Sequence, residues 1–353
     1  MSFFEQHEKN LAISLWLILL VDMAKKNHIA PDKILKGSKL FLSDLSNPTL
    51  VVSHQQFSQV IHNINKCLPH GNSAFLLGSR LYPSHLESAG QAIFHAQNLS
   101  DIIVTIRHFH HQVFPFLFMR SESSEQHQYC LFNQAISREN LHHYQFICEL
   151  FTSLLISIAK QKQLPLSRLS IRFPYPAPRH IEQYHSYLPC QFEFSPSSKN
   201  FTGIAIQQSN NLPLQIKFDK GLLSYPLAHG NPTLIAHYQQ KVPSTTANIG
   251  FIQYVMQKMV ERLQKKQEIN AQWLAEQLTM SQATLKRKLS QHNVTYQQLF
   301  DMVRQQQAVF LLTEQHFNNE KIARDLNFSD ITNFRRSFKR WTGLTPQALK
   351  KVF

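Results

Sequence analysis

The segment Ile322-Ala323-Arg324-Asp325-Leu326-Asn327-Phe328-Ser329 decides the fold of the C-terminal third of this chain, because it repeats an earlier segment. Its counterpart is Leu274-Ala275-Glu276-Gln277-Leu278-Thr279-Met280-Ser281, at an offset of 48 residues. Further on, Leu285-Lys286-Arg287-Lys288-Leu289 returns as Phe334-Arg335-Arg336-Ser337-Phe338 at an offset of 49, so one residue is inserted. The repeat predicts two copies of one supersecondary unit.

Each copy has the pattern of a helix, a tight turn and a second helix. In the first copy, the small Ala275 lets a second helix cross closely. Thr279 and Asn327 occupy the two turns, and Asn accepts a left-handed conformation at little cost. We expect Ser281 and Ser329 to be the N-caps of the second helices, where their hydroxyls accept hydrogen bonds from otherwise unpaired amides.

The second helix of each copy has an apolar inner face, formed by Leu285 with Leu289 and by Phe334 with Phe338 at i,i+4 spacing. The predicted outer faces carry Gln282, Ala283, Lys286 and Arg287 in the first copy, and Ile331, Thr332, Arg335 and Arg336 in the second. Such a set suits a helix in the DNA major groove, where Arg and Lys pair with guanine and methyl groups contact thymine. The adjacent cationic side chains, predicted to hold phosphates, are Lys288, Lys339 and Arg340. A helical bundle that binds no nucleic acid is the alternative, which the duplication and the basic outer faces disfavour.

A single helix is predicted between the two copies, from Tyr296 to about Glu314. These 19 residues span about 28 Å at a rise of ~1.5 Å per residue. Two helices that read one side of DNA need a separation of about 34 Å, one turn of the duplex. A rigid connector of this length supplies most of that separation.

The distribution of charge also points to the C-terminal third. The chain has 353 residues, with 36 Lys+Arg and 22 Asp+Glu, so its formal net charge is +14. Residues 251–353 hold 16 Lys+Arg and 8 Asp+Glu, a net +8, whereas residues 1–250 hold 20 and 14, a net +6. This density predicts a polyanionic partner, nucleic acid before membrane.

The motifs in this region resemble the signature of the AraC/XylS family of bacterial transcription regulators. They are Ile322-Ala323-x-x-Leu326-Asn327-Phe328, then Thr332-x-Phe334-x-Arg336-x-Phe338-Lys339-Arg340, then Gly343-x-Thr345-Pro346. The family usually has Gly in place of Asn327 and Ser in place of Thr332, and often a larger side chain in place of Ala283. The resemblance implies an all-α domain that binds double-stranded promoter DNA through two helix-turn-helix units and acts with RNA polymerase.

The first 240 residues have the pattern of an α+β domain. Apolar residues recur at helical spacing in Leu11–Asn27, Phe57–Leu68, Ile102–Phe114 and Phe146–Ile158, and alternate as in strands in Ser167–Phe173, Gln191–Phe194 and Phe201–Ile206. The polar, Pro-containing segment that follows residue 240 reads as a linker. We therefore expect a regulatory domain over 1–240, a linker over 241–249 and a DNA-binding domain over 250–353.

A second resemblance, to the long regulatory domain of one subgroup of the same family, lies within the first of these domains. It rests on Ile171-Arg172-Phe173-Pro174-Tyr175-Pro176-Ala177-Pro178 followed by Tyr184, Cys190, Phe192 and Phe194, and on Leu223-Ser224-Tyr225-Pro226-Leu227 with Asn231-Pro232. It implies an arabinose-binding-domain-like module that senses a small-molecule effector or forms a homodimer. The run Val113-Phe114-Pro115-Phe116-Leu117-Phe118 could line a pocket for an apolar effector, although core or a dimer contact is the more frequent reason for such a run.

No motif in the sequence supports catalysis or a cofactor. His108-Phe109-His110-His111 and His142-His143 could ligate a metal, but no carboxylate or thiol stands beside them at metal spacing, so we predict surface histidines. A Gly-x-Ser-x-Gly elbow and a Gly-rich phosphate loop are both missing. The run Leu11–Val21 is shorter than the ~18 residues that a membrane span needs, and the four cysteines form no CxxC pair. These features predict a cytoplasmic protein without a membrane partner.

The sequence thus predicts a sequence-specific DNA-binding transcription regulator, an activator controlled by an effector or by dimerisation. One alternative is a non-specific architectural DNA-binding protein, which would share the charge but not the specificity. The other is a metal-dependent enzyme tethered to DNA, which would need a stoichiometric metal.

Overall fold

The computed structural model describes residues 3–68, 71–195, 212–241 and 249–352. The N-terminal region opens with mostly helical structure and three short strands. Its strands are β1 (Phe3–Phe4), β2 (Lys9–Leu11) and β3 (Val52–Ser53). Its helices are α1 (Ser14–Lys26), α2 (Pro31–Leu35), α3 (His54–Cys67), α4 (Ser73–Leu81), α5 (Glu87–Phe94), α6 (Leu99–His108) and α7 (His110–Val113). Short 3-10 turns lie at Leu42–Ser46 and Ser84–Leu86.

A five-stranded sheet follows, in the order β4-β5-β8-β6-β7. Its strands are β4 (Leu117–Ser123), β5 (His127–Gln134), β6 (Leu169–Phe173), β7 (Gln191–Phe194) and β8 (Leu214–Asp219). The β6–β7 pair is parallel and the other three pairs are antiparallel. The helices of this part are α8 (Leu141–Gln161), α9 (Ile181–Tyr187) and α10 (Pro232–Lys241), with 3-10 turns at Leu166–Arg168 and Lys220–Leu222.

Helix α8 is the central helix of this region, because it packs both on α4 and against the sheet. Its contact with α4 is close at Gly78, where a Cβ atom would lie only 2.1 Å from the carbonyl oxygen of Leu150. Only glycine allows the two backbones to approach this closely. The next residue of α8, Phe151, packs against the sheet, where its ring centroid lies 4.6 Å from that of Phe132 of β5.

The C-terminal region is helical after one short strand, β9 (Ile249–Gly250). Its helices are α11 (Phe251–Gln264), α12 (Ala271–Gln277), α13 (Gln282–Gln291), α14 (Tyr296–Thr313), α15 (Asn319–Asp325), α16 (Ile331–Thr342) and α17 (Pro346–Val352). The predicted fold class, an α+β domain followed by an all-α domain with two helix-turn-helix units and a linker helix, is confirmed.

Several details of the sequence-based prediction can be compared with these elements. The predicted helix over Ile102–Phe114 is divided into α6 and α7 around Phe109, which belongs to neither. The predicted strand Phe201–Ile206 and most of the predicted linker, residues 242–248, lie outside the described residues. The domain limits 1–240 and 250–353 stay a prediction.

The Phe-rich run lies in the core, the more frequent reason for such a run, whereas the prediction of surface histidines has one exception. Phe114, Phe116 and Phe118 all lie in the hydrophobic core. His143 is buried as well, and its Nδ1 lies 2.8 Å from a carboxylate oxygen of Glu139. The prediction of a surface histidine was wrong there, because the polar face of α8 at its first turn packs against Glu139 and α3. Among the described residues, no group of three or more metal-ligating side chains is arranged to hold a metal ion.

The two regions are joined through backbone contacts at the start of the helical part. Strand β1 pairs in parallel with β9, so Phe3 lies opposite Ile249 and Phe4 opposite Gly250. A Cβ atom at Gly250 would lie 2.2 Å from the carbonyl oxygen of Ala135. That same carbonyl accepts a hydrogen bond from the Gln253 amide at 2.8 Å.

Helix α14, which connects the two helix-turn-helix units, lies against the outer face of the sheet. The ring of Phe310 packs edge-on against Tyr129 of β5, with centroids 5.3 Å apart. The side chain of Gln306 donates to that of Asn133 at 2.7 Å. At the end of the helix, Glu314 accepts a hydrogen bond from the Tyr129 hydroxyl. The five-stranded sheet therefore contacts helix α14, the helix that separates the two helix-turn-helix units.

Candidate nucleic-acid interface

The first helix-turn-helix unit consists of α12 and α13. Leu274 and Ala275 of α12 are buried, as are Leu285 and Leu289 of α13, which the apolar pattern predicted. Thr279 adopts the left-handed conformation expected in the turn, with φ of 52°. Ser281 is the N-cap of α13, since its hydroxyl accepts from the Thr284 amide at 3.1 Å.

The second unit consists of α15 and α16 and reproduces this arrangement with one extra residue. Asn327 has φ of 55° in its turn, and Phe334 and Phe338 are fully buried. The N-cap of α16 is Asp330, whose carboxylate accepts from the Asn333 amide at 2.7 Å. The prediction of Ser329 as the N-cap was wrong, because the inserted residue falls between the turn and the cap.

The predicted outer faces can be followed residue by residue. In the first unit Gln282, Ala283, Lys286 and Arg287 are all exposed, and in the second Thr332, Arg335, Arg336, Lys339 and Arg340 are exposed while Ile331 is half-buried. None of the basic residues named for base contact has been drawn into the core. Their role in DNA binding stays a prediction, but the arrangement leaves them accessible to a groove.

Two predicted phosphate-contacting residues are engaged within the protein. Lys288 forms an ion pair with Glu5, and its ammonium lies over the ring of Phe3. Although burial raises the pKa of Glu5, the hydrogen bond from Lys288 and the positive charge of Lys288 outweigh burial and lower that pKa. Arg340 pairs with Asp301 of α14 at 3.0 Å, and its side chain is 58% exposed. A phosphate contact by Lys288 therefore requires separation from Glu5, whereas Arg340 needs only a rotation at the surface.

Sequence reasoning missed Asn333, which lies in the first turn of α16. Its side-chain nitrogen donates to the Ser329 hydroxyl and to the Asp330 carboxylate, both at 2.8 Å. These bonds leave the amide oxygen of an exposed side chain as an acceptor at the end of the helix that would enter a groove. A side-chain amide pairs with adenine through one donor and one acceptor, so Asn333 would have to give up one of these two bonds to form such a pair.

Sequence reasoning also missed Arg304, which fixes the second unit to the linker helix. Its guanidinium stacks between the rings of Phe300 and Phe328, at 4.2 and 4.4 Å from their centroids. It also donates to the Asn327 carbonyl at 2.8 Å. The contact holds the turn of the second unit on α14 and so stabilises the relative position of the two units.

Comparison with known protein families agrees with this geometry. A helix-turn-helix domain family matches residues 274–351, which include α13, α15, α16 and all but the first three residues of α12. The arabinose-binding domain found at the N-terminus of AraC transcription regulators matches residues 29–203. The chain belongs to the AraC family of transcription regulators.

Curated AraC-family relatives match parts of the chain. An ornithine utilization regulator of Pseudomonas aeruginosa is 28% identical over 192 residues, which is 53% of this chain and 52% of the relative. The transcriptional regulator VqsM of the same organism is 32% identical over 79 residues, 22% of this chain and 24% of the relative. The chain thus spans about half the length, or less, of the curated relatives that it matches.

A solved structure covers nearly all of the chain. The crystal structure of the transcriptional regulator CdpR from Pseudomonas aeruginosa aligns with 98% of this chain and 100% of its own, at 17% identity and a TM-score of 0.44.

Among the helices that the structure describes here, none has the length and apolarity to cross a membrane.

Proposed function

We propose that this AraC-family protein binds promoter DNA sequence-specifically in the cytoplasm and activates transcription there through contact with RNA polymerase. The observation that carries the proposal is the pair of helix-turn-helix units with exposed basic outer faces, joined by a helix that is packed on the regulatory domain. A small-molecule effector, or a second copy of the chain, would control the protein through that domain.

The length of the linker helix supports simultaneous binding by both units. Helix α14 has 18 residues and is about 27 Å long at ~1.5 Å per residue. Adjacent major grooves on one side of DNA lie about 34 Å apart. With the turns on either side of α14 added, α13 and α16 can enter successive grooves.

The chemistry of the outer faces supports base contacts as well as phosphate contacts. Lys286, Arg287, Arg335 and Arg336 can pair with guanine acceptors, and the methyl groups of Ala283, Ile331 and Thr332 can contact thymine. Gln282 offers an amide that suits adenine. Lys288, Lys339 and Arg340 are assigned to the phosphate backbone, with Lys288 available after it separates from Glu5.

The proposal is tested by selecting DNA from a random duplex pool with the full chain. We expect an enriched sequence with two half-sites whose centres are about 10 to 11 base pairs apart. Its affinity should exceed that for random duplex by about 1000-fold or more at physiological salt. In Arg287→Ala and Arg336→Ala variants, enrichment should weaken at a different half-site in each.

Equal affinity for selected and random duplex would overturn the proposal in favour of an architectural DNA-binding protein. A single enriched half-site that is lost in Arg336→Ala and unaffected by Arg287→Ala would overturn the part that assigns base contacts to both units. Activation is tested separately, by transcription in vitro from a promoter that carries the selected sequence, and repression there would overturn the assignment as an activator.

A further inference from the structure

An apolar cavity of about 80 Å³ lies on the inner face of the regulatory sheet. Helices α6 and α8 cover it on one side, and strands β4, β5, β6 and β8 line it on the other. Its wall includes Ile103, Ile106, Phe114, Met119 and Cys130, and every lining residue is hydrophobic. Protein interiors contain few voids larger than a water molecule, and an apolar cavity excludes water. Space of this kind is therefore available to an apolar group.

The cavity offers a non-covalent site. Burial raises the pKa of the Cys130 thiol to about 12, against an opposing effect of Arg107. The thiol is thus protonated at neutral pH and is not a nucleophile.

A cation lies at the rim of the cavity, near the edge of the sheet. Ser121 of the edge strand β4 is the cross-strand partner of Cys130. The guanidinium of Arg107 donates to the Ser121 hydroxyl at 2.5 Å. Arg107 lies one helical turn after Ile103, which lines the cavity, and its side chain is exposed. Within the described part of the chain, no carboxylate forms an ion pair with Arg107.

Strand β5 lies between this cavity and the DNA-binding region, because one of its faces lines the cavity and the other packs against helix α14. Cys130 and Phe132 point into the cavity, whereas Tyr129, Leu131 and Asn133 face the other side. On that side Tyr129 and Leu131 form a buried cluster with Phe310 of α14. A group that displaces the strand from inside therefore acts directly on the linker helix, one strand thickness away.

We propose that this cavity is the effector site, and that it takes a short aliphatic carboxylic acid with its alkyl chain inside and its carboxylate on Arg107. The regulatory meaning of the site rests on the function proposed above, whereas binding itself does not. A cavity of about 150 Å³ accommodates benzene, a six-carbon ring, so about half that volume suits an alkyl chain of roughly three or four carbons. Guanidinium pairs well with a carboxylate because its N–H donors match the two oxygens.

Binding is tested with a series of straight-chain carboxylates, from acetate to decanoate, by calorimetric titration of the full chain. Affinity should rise from acetate to a maximum near butanoate and pentanoate and fall for decanoate. The amide of the best acid should bind about 10-fold or more weakly, because it lacks the charge. An affinity that is independent of chain length, or equal for the acid and its amide, would overturn the proposal.

Four variants, one of them a control, test the location. Cys130→Leu fills the cavity and should abolish binding, and Arg107→Gln should weaken it about 10-fold or more. Val104→Ala is the matched control, because Val104 lies on the same helix, is 54% exposed and does not line the cavity. If Cys130→Leu fails to fold, Ala159→Val fills part of the same cavity and should weaken binding of the longer acids first. Unchanged binding in the folded cavity variants would overturn the proposal.

Coupling to DNA is measured separately, so that failure here and failure of the proposed function are distinguishable. Saturating butanoate should change amide hydrogen exchange in α14 and should change the affinity for the selected DNA. If butanoate binds but neither quantity changes, the cavity is not a regulatory site. If the chain selects no DNA sequence but butanoate binds and alters exchange in α14, the proposed function fails and the site stands.

Discussion

Replacing Asp330 with alanine tests the N-cap that distinguishes the second helix-turn-helix unit from the first. The Asp330 carboxylate accepts from the Asn333 amide at 2.7 Å and lies at the N-terminus of the 12-residue helix α16. Loss of an N-cap acceptor destabilises a helix by about 1 kcal/mol. Loss of a negative charge at that end adds about 0.3 to 1 kcal/mol. We therefore expect Asp330→Ala to reduce the stability of α16 by about 1 to 2 kcal/mol.

The matched control is Ser329→Ala, which removes the residue that the repeat pattern favoured. The Ser329 hydroxyl accepts from the Asn333 side chain at 2.8 Å and donates to the Asp330 carboxylate at 3.4 Å, both in an exposed setting, so its loss should change stability by less than about 0.5 kcal/mol. Asp330→Asn keeps a good cap and removes only the charge, and it should lie between the two.

Native-state hydrogen exchange of the α16 amides is the assay, because it reports the stability of this helix locally. A loss of 1 to 2 kcal/mol corresponds to about 5-fold to 30-fold faster exchange through local opening. Exchange in α13, which is capped by Ser281, should not change. Equal acceleration by Ser329→Ala and Asp330→Ala, or none by Asp330→Ala, would refute the assignment of the cap.

Three other predictions concern DNA binding and pH. Arg336→Ala should weaken binding to the selected DNA by about 5-fold to 150-fold while the circular dichroism spectrum stays unchanged, and unaltered binding in a gel-shift titration would refute a base contact. Affinity should fall steeply between 50 and 200 mM salt, because each neutralised phosphate releases counterions and contributes about −0.9 to the slope of log affinity against log salt; a flat profile would contradict the interface. Burial lowers the pKa of His54 to about 4. Between pH ~6.5 and 4, His54 is therefore protonated in the unfolded chain and neutral in the folded chain. Stability should therefore decrease as pH falls from 6.5 towards 4, by about 2 kcal/mol at pH 5 from this residue, and urea titrations of the wild type and His54→Gln at pH 7 and 5 check the difference.

The helix-turn-helix units could be predicted from the sequence because their determinants are local. The caps, the left-handed turn residues and the i,i+4 apolar pairs all lie within about 20 residues of one another in each unit. The incorrect prediction of Ser329 as the N-cap also came from the local repeat, because Ser329 aligns with the cap Ser281 at an offset of 48. The inserted residue precedes the cap, so the N-cap is Asp330, at an offset of 49.

The sheet order and the contacts between the two regions could not be predicted, because they depend on residues far apart in the chain. Strand β8 lies between β5 and β6, and no local pattern specifies that position. The ion pair of Glu5 with Lys288 joins residues 283 positions apart. One signal was available in Tyr129-Cys130-Leu131-Phe132, since four consecutive apolar residues in a strand indicate that both faces of the sheet are covered.

The parallel pairing of Phe3–Phe4 with Ile249–Gly250, here called the backbone seam, fixes the position at which the helical region starts. This position does not depend on residues 242–248. The fit of Gly250 against the Ala135 carbonyl leaves no room for a side chain, so the register of this seam is set by direct contact. Insertions or deletions within residues 242–248 should then alter the path of the chain without altering the docked arrangement. Natural variants of this protein are accordingly expected to tolerate length changes before residue 249 far better than a single added methyl group at position 250.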